Sequence, residues 1–148
     1  MFLKKSLTQL IGSCPTLTAH LARKLWEFQK NGMHIADPIV VDTILARSAI
    51  DNLPYDVELV GYALRVTKAP TGAAIQCTLT LDGVAVTTVV PSIAIAATTG
   101  VWRDDDADPN ALSPVLISAG SRLDFDLTQI GSTEPGENLQ WALTFRRK

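Results

Sequence analysis

Arg122-Leu123-Asp124-Phe125-Asp126-Leu127-Thr128 and, after a turn-rich loop, Leu139-Gln140-Trp141-Ala142-Leu143-Thr144-Phe145 are the stretches that decide the fold. In both, apolar and polar residues alternate. A period of two puts successive side chains on opposite faces of a strand, so each segment reads as a half-buried β-strand. Between them Gly131-Ser132-Thr133-Glu134-Pro135-Gly136-Glu137-Asn138 is dense in residues that set turns and remove ladder donors. The two stripes, Leu123/Phe125/Leu127 and Leu139/Trp141/Leu143/Phe145, are expected to enter one core. No reactive side chain is placed there.

Working backwards, the same alternation recurs. Val60, Tyr62, Leu64 and Val66 form one stripe, ended by Lys68-Ala69-Pro70-Thr71-Gly72. Ile75, Cys77, Leu79 and Leu81 form the next, with Gln76, Thr78 and Thr80 outward. Asp82-Gly83 then predicts a two-residue hairpin, because both positions tolerate positive φ. Val84 to Val90 returns, Pro91 ends it, and Ile93 and Ile95 mark a further short strand, as does Val115-Leu116-Ile117. Short strands separated by turns, with no helix-length segment between them, predict an all-β fold: an antiparallel β-sandwich over residues 55–148.

Residues 1–54 read as an N-terminal arm. Leu17, Leu21, Ala22, Leu25 and Phe28 recur at three- and four-residue steps until Asn31-Gly32, which predicts a short amphipathic helix over about 17–31 with Trp26 at the edge of its stripe. Asp37-Pro38 breaks that pattern. The β-branched run that follows predicts an extended segment over 37–50.

The totals set bounds on function. The chain has 148 residues, 47% hydrophobic and 19% charged, which gives one domain with apolar surface to spare for a partner. A net charge of -2 supplies no positive field for nucleic acid. No run is long and apolar enough to span a membrane as a helix, so no membrane partner is expected. Leu10-Ile11-Gly12-Ser13-Cys14 faintly echoes a lipoprotein signal, but Thr8 and Gln9 interrupt the apolar segment and Pro15 follows the cysteine. Cys14 and Cys77 read as unpaired thiols.

Few residues have the character of a chemical site. Asp104, Asp106 and Asp108 mimic the opening of a calcium loop, yet Pro109 stands where that loop needs glycine and Val115 where it needs a bidentate glutamate. They remain weak cation candidates beside the reading as a solvated or partner-facing acidic loop. The only histidines, His20 and His34, lie in the arm, and no serine sits in a nucleophile elbow. No enzyme, cofactor or structural zinc site is expected. Residues favoured for an interface are Phe2, Leu3, Leu21, Trp26 and Phe28 in the arm, Trp102 beside the acidic loop, which reads equally as a lid on the core, and Arg146 and Arg147 near the C-terminus.

Three pieces in order carry a resemblance: the strand ending Ala69-Pro70-Thr71-Gly72, the Leu81-Asp82-Gly83 hairpin, and Ala119-Gly120-Ser121-Arg122-Leu123 leading into Gln129 to Leu139. Together they resemble a jelly-roll-like β-sandwich module of tailed-bacteriophage virion proteins, over about residues 57–145. The resemblance implies a structural protein of the virion, made in the host cytoplasm. The first expectation is a capsid decoration or cement protein that binds the major capsid protein, or another virion protein, and also itself, as a trimer. A tail, neck, baseplate or head-fibre component is the second expectation, and a carbohydrate-binding module using Trp102 the third. The resemblance transfers no active site. Asp82-Gly83 stands where the family would have Asn-Gly, and both the arm and the acidic loop fall outside the resemblance.

Overall fold

A computed structural model describes residues 27–34, 39–41, 43–104 and 113–148. It contains ten strands: β1 (Glu27–His34), β2 (Thr43–Asp51), β3 (Val57–Arg65), β4 (Ile75–Leu81), β5 (Val84–Val86), β6 (Ser92–Ile93), β7 (Thr99–Arg103), β8 (Val115–Ile117), β9 (Arg122–Gln129) and β10 (Leu139–Arg147). They form two antiparallel sheets packed as a β-sandwich. The first runs β1-β10-β3, with β7 and β8 sharing the far edge of β3. The second runs β2-β9-β4, with β5 and β6 sharing the far edge of β4.

The closing stripes meet as their alternation predicts. Leu123, Phe125 and Leu127 from the second sheet and Leu139, Leu143 and Phe145 from the first have no exposed surface, and Phe125 meets Trp141 edge-on at 5.4 Å between ring centroids. Ile75, Cys77 and Leu79 fill the same core. The Asp82-Gly83 hairpin forms with φ of 49° and 84°, the two positive values of a type I′ turn. Asp82 Oδ1 also accepts the Arg122 amide at 2.7 Å, tying the hairpin to the start of β9.

Three expectations change. The helix expected over 17–31 is not formed over its last five residues: Glu27 to Asn31 belong to strand β1, paired with β10 from Glu27↔Arg146 to His34↔Leu139. Its earlier residues lie outside the described ones. Phe28 stacks on Phe145 at 5.4 Å instead of completing a helical stripe. Gly32 is not a helix stop but a point of close approach, since a Cβ there would lie 2.7 Å from the Trp141 ring. Asn31-Gly32 thus marks the place where the indole crosses the strand.

The segments read as arm supply sandwich strands, β1 to the first sheet and β2 to the second, so the compact body includes residues before 55. The third change is in β3. Tyr62, Leu64 and Val66 point into the core as the alternation predicts, but Val60 is buried outside the core cluster. A register shift opposite Thr144/Phe145 inserts one residue, so Val57 and Leu59 take the inward positions before it.

Candidate interaction surface

One end of the first sheet's outer face is tied together by charge. Pairing aligns Glu27, Arg146 and Glu58 across β1, β10 and β3. Arg146 donates from Nη2 to Glu58 at 3.0 Å and from Nη1 to Asp104 at 2.8 Å, while Lys148 reaches the other Glu58 oxygen at 3.2 Å. Burial works to raise the Glu58 carboxyl, but the hydrogen bonds and charges of Arg146 and Lys148 outweigh it and hold the group below its usual range. Arg146 is likewise opposed by burial, yet raised on balance by Glu58 and Asp104.

A second tie crosses the sheet. Arg103 on β7 donates both contacts to Glu27 on β1, at 3.1 and 3.0 Å, although β3 and β10 lie between those strands. Gly61 makes the crossing possible: a Cβ there would stand 2.7 Å from Arg103 Cδ and 2.8 Å from the Trp102 carbonyl oxygen. The guanidinium stem therefore lies over bare backbone. Gln29 adds a bond to Thr144 at 3.3 Å, between neighbouring strands of the same face.

Four of the eight expected interface residues, Phe28, Trp102, Arg146 and Arg147, are among the described ones, and all four have partners within the chain. Trp102 is 7% exposed, pairs with Tyr62 on the inward face and packs against it at 6.2 Å, so it is a core residue and no platform for a sugar or partner. Phe28 packs on the protein's own core. Arg146 is committed to Glu58 and Asp104, and Arg147 lies 4.2 Å over the Tyr55 ring. Asp104 turns one oxygen to a guanidinium, which occupies it with a cation of the protein's own. Its Oδ1 has no hydrogen-bond partner among the described residues. Phe2, Leu3, Leu21, Trp26, Asp106 and Asp108 lie outside the described residues.

Cys77 is sealed in the core, its thiol pushed up to about 12 by burial first and by the negative charge of Asp126 second, so it stays protonated and unreactive at neutral pH. Among the described residues no three histidine, cysteine or carboxylate side chains gather as a metal site would require.

The surface that alternation did not reveal is the side of the sandwich where β1 and β2, the terminal strands of the two sheets, lie together. Of the nine large apolar side chains exposed among the described residues, four, Met33, Val40, Val41 and Ile44, lie near the β9–β10 connection, where the Ile39 amide donates to the Gly136 carbonyl. A groove of about 330 Å3 opens at the other end of β1 and β2. Phe28, Ala49, Ile50, Leu53 and Tyr55 line it, with Lys30 and Asp51 as its charged members.

No known family matches the sequence, and no curated protein matches it either.

Proposed function

We propose that the chain is a structural protein of a tailed-bacteriophage virion, a decoration or cement protein that binds the assembled capsid. The observation that carries this reading is the strand order. Early strands pair with late ones in both sheets, β1 with β10 and β2 with β9, and the inner strands follow as β3 with β7 and β4 with β5. That is the order of a jelly roll, a topology shared by viral capsid and lectin domains. Topology alone hosts many functions, and the particle is proposed from the sequence resemblance of residues 57–145.

The mechanism is linkage. A protein that binds the closed lattice and not free subunits shifts the equilibrium toward the shell by its binding free energy. The apolar residues before Glu27, among them Phe2, Leu3, Leu21 and Trp26, are offered to the lattice. The ionic ties across the first sheet support a rigid body on which such a contact is mounted.

The test is imaging of particles carrying a tagged copy, together with the rupture temperature of particles lacking the protein. Many copies over the head and a lowered rupture temperature are expected. A few copies at one vertex would assign the chain to the tail or neck, and unchanged rupture would remove the cementing role.

A further inference from the structure

The groove at the Arg122/Arg146 end of β1 and β2 has the make-up of a small-ligand site. Such sites are concave and largely apolar, with a few polar groups that fix orientation, and hold roughly 300–1,000 Å3. This one, at about 330 Å3, lies at the small end of that range and suits a ligand of side-chain size. Its walls are held from behind. Ala49 and Ile50, which line it, belong to the core. Phe28 is stacked on Phe145, and Arg147 lies over the Tyr55 ring. The turn that carries Leu53 is pinned to the turn before β9 by two backbone bonds, from the Asn52 amide to the Ser121 carbonyl at 3.3 Å and from the Gly120 amide to the Leu53 carbonyl at 2.9 Å. Walls fixed in advance leave little ordering to be done on binding.

The apolar lining, Phe28, Leu53 and Tyr55 above all, calls for an apolar body. The charged lining narrows the choice. Lys30 comes from β1 and Asp51 from the end of β2, both are exposed, and neither forms an ion pair with the other or with any other described residue. A purely anionic ligand would lie against Asp51 and a purely cationic one against Lys30, in each case a like-charge contact that costs affinity. A ligand carrying both signs satisfies both side chains.

We infer that this groove binds a small zwitterion with an apolar body, of the class of the apolar α-amino acids. The carboxylate goes to Lys30, the ammonium to Asp51, and the aliphatic or aromatic side chain lies among Phe28, Leu53 and Tyr55. The inference does not rest on the virion reading, because the groove is built within one chain and binds without any particle.

Titration of the full chain with L-phenylalanine and with L-leucine, followed by amide NMR, tests it. Saturable shifts are expected at the amides of Lys30, Ala49 and Asp51. Phenylpropionate, which lacks the ammonium, and phenethylamine, which lacks the carboxylate, should each bind about ten-fold more weakly than phenylalanine, the scale of one lost charge-assisted hydrogen bond. Lys30→Gln should weaken phenylalanine by a similar factor and leave phenethylamine no weaker than before. Asp51→Asn should do the same to phenylalanine and spare phenylpropionate. No saturable shift from either amino acid, or shifts confined to residues away from the groove, overturns the inference. So do single-charge analogues that bind as tightly as the zwitterion, or variants that bind phenylalanine as the wild type does.

Discussion

Trp102 shows how its neighbours in sequence leave a residue undecided between surface and core. It stands beside Arg103-Asp104-Asp105-Asp106, so the sequence around it reads as an exposed polar loop. β7, however, continues as far as Arg103, and its pairing with β3 turns Trp102 inward against Tyr62. Trp102→Ala should then cost about 3–5 kcal/mol in denaturant unfolding, the range for emptying a large aromatic site in a core. A surface platform would lose almost nothing. Trp102→Phe should be milder, since the indole N–H it removes has no hydrogen-bond partner among the described residues.

Among the elements, Gly61 on β3 decides whether β7 and β1 are tied. Gly61→Val places a branched side chain against the Trp102 carbonyl, a backbone atom that cannot swing aside, and under Arg103, which can. The expected loss is about 1–3 kcal/mol. Hydrogen exchange should show it first in β1, whose Glu27 loses its guanidinium partner. Equal loosening of β1 and the distant β5 would deny the tie.

The elements also show what was legible in the sequence. β4, β9 and β10 were readable because each has one buried face and an unbroken period of two, and the Asp82-Gly83 turn because its chemistry is local. β1 was not readable. Leu25 and Phe28, followed by Asn31-Gly32, satisfy a helical spacing and stop, while the reason for a strand lies far along the chain, in Phe145 beneath Phe28 and Trp141 beneath Gly32. The bulge in β3 was hidden for the same reason, since it exists only against β10. The groove with Lys30 and Asp51 needs strand order before it can be seen at all.

For the molecule as a whole, the charges on its surface set its acid limit. The Glu58 carboxyl is held below its ordinary value of 4.5, and so is that of Asp82, below 3.8, by its hydrogen bonds to the Arg122 amide and Ser121. A carboxyl depressed by folding stabilises the native state fully above its unfolded value, and the contribution is lost as pH falls through the lower, folded value. Thermal stability should therefore hold near neutrality and decline below about pH 4. Glu58→Gln should flatten that decline while lowering the neutral plateau; a variant with an unchanged acid limb would show that the Arg146 contacts are not what the acid removes. The pairing of early strands with late ones has a further consequence for synthesis. β1 emerges about a hundred residues before β10, its hydrogen-bonded neighbour, and β2 similarly precedes β9. At about 5–20 residues per second, roughly 5–20 s pass on the ribosome with β1 lacking that neighbour. Among the described residues nearly every ladder closes between distant segments, so folding is expected to be slow and late. During that wait Phe28 and Ile50, which the finished fold covers, would be open to any nascent chain nearby, including one on the same messenger that has reached the same point.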